Sequence, residues 1–480
     1  MRELLEDLID SASARAAYAD VRHVRTLVEE VALRNGELDV LDRREEEGIG
    51  VRVRAGGAWG FAAARGSDRA AGEDALARAL ALADAQPHSA GGERPLVPGA
   101  PARGSHASPC EIDPFAVSLD DKLALLAQAE AAMRAEPLVS VARAHVSCRS
   151  EEKTFASSDG ALCHQRLTEC GGGLEAVAVG ESGTQVRSYP GSHSGHVAQA
   201  GWEHVTELDL PGNAPRVAAD AAALLSAPAC PSGHTTLVLA KEQLGLQIHE
   251  SVGHALELDR VLGGEASYAG TSFVPASGIG SLRFGSDLMN VTADATLPGA
   301  LGSFRWDDEG VEGRAVSLVR HGMLRGFLSS RESAAEVGLE CSGGCMRAEG
   351  FARQPIVRMT NVSLDPGTAG TLEELIQGTR RGLYMETNRS WSIDSRRLHF
   401  QFAGEAAWEI VDGRLGRMLR DPVYAGTTPR FWGGLDAVCS PSEWSLVSVT
   451  NCGKGEPGQL ASVSHGSAPA RFGDVLVGSG

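Results

Sequence analysis

Residues 20–64 carry alternating apolar and charged side chains in three consecutive segments that are separated by glycine-containing turns. Alternation with a period of two is typical of strands buried on one face, so these segments predict an antiparallel meander. A second strand-rich run extends from about 138 to 199. Strands that occur in separate runs, instead of alternating with helices, favour an α+β fold over a doubly wound parallel sheet.

Helical spacing of apolar residues accompanies these strand runs. It predicts helices at 1–17, 73–86, 121–137 and 214–228. The Pro- and Gly-rich stretch 87–109 predicts a long surface loop. Because 480 residues exceed what one hydrophobic core holds, we expect two domains. We place an N-terminal mixed α/β domain at 1–225 and a second, C-terminal domain at 226–480.

The C-terminal part begins with a short apolar strand at 235–240, followed by a predicted helix at 241–260. The inner side of this helix is apolar and contains Leu244, Ile248, Val252, Ala255 and Leu256. Beyond residue 262 short strands and turns dominate, apart from a predicted helix at 371–380. This distribution predicts a mostly β, barrel-like domain with the 241–260 helix laid against it.

The net charge and the cysteine content indicate which partners and which compartment to expect. The formal net charge of −18 argues against nucleic acid and acidic membrane surfaces as partners. No uncharged apolar run reaches the length of a membrane span, and the start MRELLEDLID lacks the features of a signal peptide. Nine cysteines, an odd number scattered over a long chain, predict reduced thiols. We therefore expect a cytoplasmic protein.

The segment QIHESVGHALELD, residues 247–259, is close to the zinc-protease pattern H-E-x-x-H but has one residue more between the histidines. His249 and His254 are five residues apart, which places them about 140° apart on a straight α-helix. A π-bulge would return both side chains to one face, and Gly253 is the residue that would permit it. The motif alone leaves a metal site and an ordinary histidine-containing helix equally open.

The residues around these histidines suggest how a metal site would work. Glu250 occupies the position from which a glutamate accepts the proton of a metal-bound water and passes it to a leaving amine. A catalytic zinc needs a third protein ligand, and Cys452, which is followed by several glycines, is a candidate. Glu257 could support His254, but we interpret both Glu257 and Asp259 as surface charges.

Several segments together resemble the TldD/PmbA (modulator of DNA gyrase) family of metallopeptidases. They are GIGVRVRAGGAWGFAA (48–63), HESVGHALELD (249–259), VTADATLPGALGSFRWDDEG (291–310), RQPIVRMTN (353–361) and NCGKGEPGQ (451–459). The resemblance follows the same order across nearly the whole chain. It implies a zinc ion, Zn²⁺, held by His249, His254 and Cys452, with Glu250 as the catalytic glutamate. Because this set is complete, the chain resembles the catalytic TldD type and not the partner type that lacks it.

The resemblance also implies an activity. It implies a zinc-dependent peptidase that cleaves unfolded or short peptides, modified precursor peptides among them, as a homodimer or with an inactive PmbA/TldE-type homologue. We further predict that the substrate binds in an extended form, as an added strand on a free sheet edge near the zinc. Two rival hypotheses stay open: a zinc amidase acting on a small molecule, and a non-catalytic scaffold subunit with a structural, four-ligand zinc.

Other polar residues have simpler interpretations. Cys341 and Cys345 are predicted to be two ordinary reduced cysteines, because their spacing is not that of a metal or redox pair. Residues 307–309, Asp-Asp-Glu, lack the spacing of a calcium loop and predict a turn between strands.

The roles of a few further polar residues are less defined. Arg358 and Asn361 lie in a segment of otherwise apolar strand character, where they could bind a substrate backbone or tie down a turn. The sequence leaves both possibilities open. The remaining histidines, His465 among them, lack ligand spacing and are predicted to have surface or packing roles.

Overall fold

The computed structural model describes residues 1–86, 95–181 and 183–480. Residues 87–94 of the predicted surface loop 87–109 therefore lie outside the described residues. The rest of that loop contains a short strand, Arg103–Ala107, which the loop prediction did not include.

The N-terminal part is built around one large sheet. Its strands are β1 (Tyr18–Arg34), β2 (Glu37–Ala55), β3 (Ala58–Arg65), β4 (Arg103–Ala107), β5 (Val139–Ser157), β6 (Leu162–Gly180), β7 (Gly183–Tyr189) and β8 (His196–Ala198). The sheet order is β3-β2-β1-β5-β6-β4, and β7 and β8 also pair with β6. Neighbouring strands are antiparallel except β4 and β6. The predicted meander is confirmed.

Helices cover the apolar face of this sheet. They are α1 (Arg2–Ser13), α2 (Arg69–Ala85), α3 (Leu119–Arg134), α4 (Trp202–Glu207) and α5 (Leu210–Ser226). The first two share a core with β1–β3, and α3 and α5 share another with β5 and β6. Asp68 and Ser118 cap α2 and α3 by accepting hydrogen bonds from backbone N–H groups of the first turn. Helices and strands thus occur in separate layers, as the α+β prediction requires.

The remaining chain, residues 227–480, is mostly strand. The strands are β9 (Gly233–Leu239), β10 (Val291–Asp294), β11 (Ala315–Arg320), β12 (Met323–Leu324), β13 (Met346–Arg347), β14 (Ile356–Val357), β15 (Asn361–Leu364), β16 (Arg381–Ile393), β17 (His399–Val411), β18 (Arg414–Leu419), β19 (Pro422–Thr427), β20 (Leu435–Val438), β21 (Ser445–Lys454), β22 (Gln459–Ser467) and β23 (Ala470–Ser479). The helices are α6 (Lys241–Ile248), α7 (Leu258–Val261), α8 (Arg331–Glu336), α9 (Leu372–Gln377) and α10 (Thr428–Gly433).

Five of these strands close into a barrel, all within residues 233–479 that the structure describes throughout. The pairing runs β16-β9-β23-β19-β17, and β17 pairs again with β16 to complete the ring. Closure removes the exposed edges that an open sheet would present. The predicted barrel-like domain is confirmed.

The predicted helix 241–260 follows β9 directly and is not one regular helix. It consists of α6, a π-helical turn at His249–Gly253, a 3-10 turn at His254–Leu256 and α7. All five residues predicted for its apolar side are buried. The α6 segment packs against β16 and against the β21–β22 hairpin, so it lies between the barrel and a separate two-stranded sheet.

The segment that connects the N-terminal part to the barrel is short. Helix α5 ends at Ser226 and β9 begins at Gly233. The domain boundary at 225/226 stays a prediction. Across the part of the chain that the structure describes, no helix combines the length and the apolar character needed to cross a bilayer.

Candidate metal centre

The π-helical turn brings the two motif histidines to one side. The N–H group of His254 donates to the carbonyl oxygen of His249, which is the i→i+5 bond of a π-turn. The two imidazole ring centroids are 4.8 Å apart, and the rings are nearly perpendicular. The predicted bulge between these histidines is confirmed.

The reason for Gly253 differs from the one predicted. Its backbone has φ −55° and ψ −64°, which any residue adopts, so conformational freedom is not what the position requires. A Cβ atom at this position would lie 2.0 Å from Sδ of Met359. Glycine is therefore required by the close approach of Met359, which lies just before β15 in the chain.

Cys452 reaches the same place from the β21–β22 hairpin. Its Sγ atom lies 3.6 Å from Nε2 of His254, and one donor atom from each of His249, His254 and Cys452 lies within 4.8 Å of the other two. All three side chains are buried. Burial raises the pKa of the Cys452 thiol, but His254 and Arg358 outweigh burial and the pKa is lowered. The structure thus brings together the three residues that the sequence proposed as ligands.

His249 also contacts a third histidine, His465. Nδ1 of His249 lies 2.7 Å from Nε2 of His465, and Nδ1 of His465 lies 2.7 Å from the carbonyl oxygen of Val362. His465 is fully buried on β22. It was predicted to have only a surface or packing role, and this prediction is incomplete, because His465 contacts His249 directly.

His254 is likewise in contact with a buried charged residue, Glu257. Nδ1 of His254 lies 2.9 Å from Oε2 of Glu257, and Nζ of Lys454 lies 3.4 Å from the same oxygen. Glu257 is fully buried, so its interpretation as a surface charge was wrong. Burial raises the pKa of Glu257, but Lys454 and His254 outweigh it and hold the pKa far below its ordinary value. Asp259 also pairs with Lys454, at 2.8 Å, and is only partly exposed.

The geometry of the three donors fits a zinc ion. With their Nδ1 atoms engaged elsewhere, both histidines present Nε2 to the space beside Cys452. Zinc–nitrogen and zinc–sulfur bonds of about 2.0 and 2.3 Å at a tetrahedral angle place nitrogen and sulfur roughly 3.5 Å apart. The 3.6 Å between His254 and Cys452 agrees with this value. Two imidazoles and one thiolate are also a donor set that zinc accepts in proteins.

Glu250 lies beside the donors, where the motif predicts a proton acceptor. Nη1 of Arg397 donates to Oε2 of Glu250, and Trp391 lines the same cavity. Burial raises the pKa of Glu250, but His254, His249 and Arg397 outweigh burial, and the pKa is lowered. The sequence did not indicate a role for Arg397 or Trp391, because both lie on the β16–β17 hairpin, far along the chain from Glu250.

These groups line a cavity of about 190 Å³. Three walls of the cavity come from different parts of the chain: the turn 191–195 of the N-terminal part, the edge of β21 at 447–453, and the β16–β17 hairpin. The side-chain amide oxygen of Asn388 faces no hydrogen-bond partner among the described atoms. Asn388 sits at a bulge in β16, and bulges are frequent next to active sites.

The other polar residues singled out in the sequence lie outside the donor set. Arg358 donates to the carbonyl oxygens of Cys452 and of Gln459, the latter over 3.1 Å, and so clamps the β21–β22 hairpin. Asn361 is buried and accepts hydrogen bonds from the N–H groups of Gly302 and Ser464. Both residues thus tie backbone segments together.

The prediction for the acidic turn agrees with the structure. Residues 307–309 form a turn, which is also buried and pairs with arginine and lysine side chains of the N-terminal sheet. Cys341 is exposed and Cys345 is buried, and neither forms a disulfide. Nothing in the arrangement of these cysteines indicates a second metal site within the described residues.

Comparisons with known proteins confirm the resemblance. Three family models, described as PmbA/TldA metallopeptidase domain 1, central domain and C-terminal domain, match residues 19–83, 112–227 and 232–479. A metalloprotease of Methanothermobacter thermautotrophicus is 30% identical over 99% of this chain and 98% of its own. A zinc metalloprotease TldD homolog of Saccharolobus solfataricus is 28% identical over 52% of each chain.

A solved structure agrees in fold. TldE from Thermococcus kodakarensis superposes with a TM-score of 0.77 and 16% sequence identity, over 99% of this chain and 100% of that one. At this level of identity the likeness shows the fold alone. Together with the family models that cover most of the sequence, it leads to one conclusion: the chain belongs to the PmbA/TldD metallopeptidase family.

Proposed function

We propose that the protein is a zinc-dependent peptidase in which His249, His254 and Cys452 hold the metal. The observation that carries this proposal is the convergence of the three donor atoms, within 4.8 Å of one another, on a cavity that also contains the Glu250 carboxylate. A structural zinc site has four protein ligands, whereas the donor group found among the described residues has three. Three ligands leave one position for a water molecule or a substrate.

The chain's own residues account for the proton transfers. Zinc, when bound, supplies a Lewis acid that lowers the pKa of a water molecule and polarises the scissile carbonyl. Glu250 accepts the proton that the attacking water loses as its oxygen bonds to the carbonyl carbon. Glu250 then gives this proton to the amine nitrogen as the carbon–nitrogen bond breaks. Burial of the site excludes bulk water and strengthens these electrostatic interactions.

The shape of the site supports an extended peptide as substrate. Strand β21 pairs with β22 on one side, and among the described residues no other strand forms a ladder with it, although His196 hydrogen-bonds to the Leu446 carbonyl oxygen and the Val197 N–H donates to the Ser448 hydroxyl. Residues 447–453 of this strand line the cavity. A peptide in extended form can hydrogen-bond to such an edge, which folded proteins cannot do with their internal segments. Unfolded or short peptides, modified precursors included, are therefore the proposed substrate class.

The proposal also covers the location and the assembly of the protein. We infer a cytoplasmic protein that acts as a homodimer or together with an inactive TldE-type homologue, with neither nucleic acid nor membrane as partner. Light scattering of the purified protein, alone and mixed with such a homologue from the same source, tests the assembly. A monomer under both conditions contradicts it.

The test of the activity combines metal analysis with two variants. Glu250→Gln is expected to keep one zinc per chain but to lose cleavage of unfolded peptides. Cys452→Ala is expected to lose zinc, whereas the exposed Cys341→Ala is a matched control that keeps it. Full zinc in Cys452→Ala contradicts the ligand assignment.

Substrate specificity separates the rival hypotheses. Cleavage of small amides without any peptide cleavage favours the amidase. Zinc bound without any hydrolysis by the wild-type protein favours the scaffold.

A further inference from the structure

Arg397 has an uncommon backbone conformation beside the cavity. Its φ is +60°, in the left-handed region that residues other than glycine seldom adopt. The turn 394–398 holds it there, since the N–H groups of Arg397 and Leu398 both donate to Asp394 and the Thr428 hydroxyl donates to the Arg397 carbonyl oxygen. Such strain persists only where surrounding contacts enforce it, and it clusters at active sites.

This turn directs the guanidinium of Arg397 into the cavity. Nη1 donates to the Glu250 carboxylate, while Nε is buried and has no hydrogen-bond partner among the described atoms. Only 15% of the side chain is exposed, so water satisfies little of it. A purely structural ion pair gains from having every buried donor paired. Arg397 therefore has an N–H donor, Nε, at the wall of the cavity that has no partner among the described atoms.

Arg397 and Glu250 line the same cavity as the three donor residues. The guanidinium of Arg397 carries several N–H donors, and its Nη1 donates to Glu250. The same side chain can therefore donate to a second oxygen that lies in this cavity.

A substrate offers Arg397 a better partner at the moment of reaction. When the attacking oxygen bonds to the scissile carbonyl carbon, the carbonyl π electrons move onto its oxygen, which becomes negatively charged. Glu250 is neutralised in the same step, because it accepts the proton of the water. Negative charge thus leaves Glu250 and appears on the carbonyl oxygen of a substrate bound in the cavity that Arg397 also lines.

We propose that Arg397 is a catalytic residue of the peptidase, whose guanidinium passes from the Glu250 carboxylate to the carbonyl oxygen of the scissile bond during hydrolysis. This inference rests on the proposed function. A planar guanidinium with several donors can transfer between two oxygens without leaving the site. Donors aimed at a developing oxyanion contribute about 10²–10³ to kcat.

The experiment compares Arg397→Gln with its neighbour Arg396→Gln, whose side chain is exposed on the same turn. Zinc content and Tm are measured for both, followed by kcat and KM on an unfolded peptide with a free or an amidated C-terminus. We expect Arg397→Gln to keep zinc and Tm, to lose about 10²–10³ in kcat with little change in KM, and to do so equally on both peptides. Arg396→Gln behaves as the wild type.

A binding measurement supplies a readout independent of turnover. A phosphinic peptide carries a tetrahedral anion in place of the scissile amide and resembles the transition state. Calorimetry with zinc-loaded protein is expected to show that Arg397→Gln loses affinity for it by a factor similar to the loss in kcat. Arg397→Lys retains the charge, and we expect intermediate values for both measurements. This variant also serves if Arg397→Gln folds poorly.

The outcomes are distinguishable. Wild-type kcat in a zinc-loaded Arg397→Gln, or unchanged phosphinic-peptide affinity in both variants, overturns the inference and leaves the proposed function intact. A defect confined to peptides with a free C-terminus also overturns it, because Arg397 then binds the substrate carboxylate. Loss of zinc in both variants assigns Arg397 a structural role. Absence of peptide cleavage by the wild type removes the proposed function itself.

Discussion

Nδ1 of His249 and Nε2 of His465 lie 2.7 Å apart, and this contact determines which nitrogen of His249 faces the cavity. The carbonyl oxygen of Val362 can only accept, so Nδ1 of His465 carries the hydrogen and its Nε2 accepts. His249 must then donate through Nδ1, which leaves the Nε2 lone pair for a metal. Burial lowers the pKa of His249 to about 4, which keeps the ring neutral at pH 7.

Removal of this support is expected to weaken metal binding without abolishing it. His465→Phe keeps an aromatic ring at this position but accepts no hydrogen bond, so His249 loses the partner that orients it. We expect zinc affinity to fall by about 10–100-fold, measured by competition with a chromogenic chelator. His399→Phe, at an exposed position, is the control and is expected to bind zinc as the wild type does. Equal affinities in the two variants contradict this role.

Lys454 is expected to matter for stability more than a surface lysine does. Its side chain is fully buried between Glu257 and Asp259, so Lys454→Met removes the ammonium group that pairs with both carboxylates. Breaking a buried ion pair costs about 3–5 kcal/mol of unfolding free energy. Urea denaturation measures this cost, with Lys241→Met as an exposed control that changes stability by less than about 0.5 kcal/mol. A similar loss in both variants is inconsistent with this role.

Gly253→Ala tests the close packing behind the π-turn. The added Cβ overlaps Sδ of Met359, so the turn or Met359 must shift, at a cost of about 1–3 kcal/mol. Because His254 is the next residue, zinc affinity is expected to fall as well. Gly433→Ala, where nothing lies within 4 Å of the new methyl group, is the matched control. If crowding is the cause, the loss that Gly253→Ala produces is smaller in a Met359→Ala background than in the wild type, and an equal loss in the two backgrounds excludes it.

Glu405 predicts a pH dependence of stability. Burial raises its pKa from 4.5 to about 7, although Arg187 opposes this. The folded protein therefore retains a proton that the unfolded chain has released between pH 4.5 and 7, so this group lowers the free energy of unfolding as pH rises through that window. Glu405→Gln removes the effect and preserves the contacts, since an amide can accept from the Ser188 N–H and donate to its hydroxyl.

The measurement for Glu405 is a series of Tm values at several pH values. The Tm of Glu405→Gln minus that of the wild type is expected to increase from pH 4.5 to 7 and to be constant above. Glu409→Gln, on the same strand, is the control, because the pKa of Glu409 is lowered by Arg417 and the window lies below pH 4.5. A difference for Glu405→Gln that does not change with pH argues against a raised pKa.

The sequence contains much of the fold and of the donor set, because both depend on local patterns. Period-two alternation indicates the meander of β1–β3, and the spacing of His249 and His254 requires a distorted turn whatever surrounds it. Cys452 is different, since only its resemblance to a family motif relates it to residues about 200 positions earlier. Local patterns determine which element forms, but not which distant side chain it meets.

The residues that the sequence did not indicate are those whose partners lie far along the chain. Arg397 is 147 residues from Glu250, and His465 is 216 residues from His249. The burial of Glu257 likewise depends on Lys454, which only the folded hairpin brings near. A lone arginine or histidine in one sequence has no spacing that distinguishes it from a surface residue, so only the three-dimensional structure identifies its role.

The strand order of the barrel also affects when the barrel can close during synthesis of the chain. Strand β23, Ala470–Ser479, pairs with β9 on one side and β19 on the other, so the ring is completed by a strand synthesised after the other four. Before these residues leave the ribosome, the edges of β9 and β19 stay unjoined, and α6 has no closed barrel to pack against. We expect the donors, although all made earlier, to assemble only then.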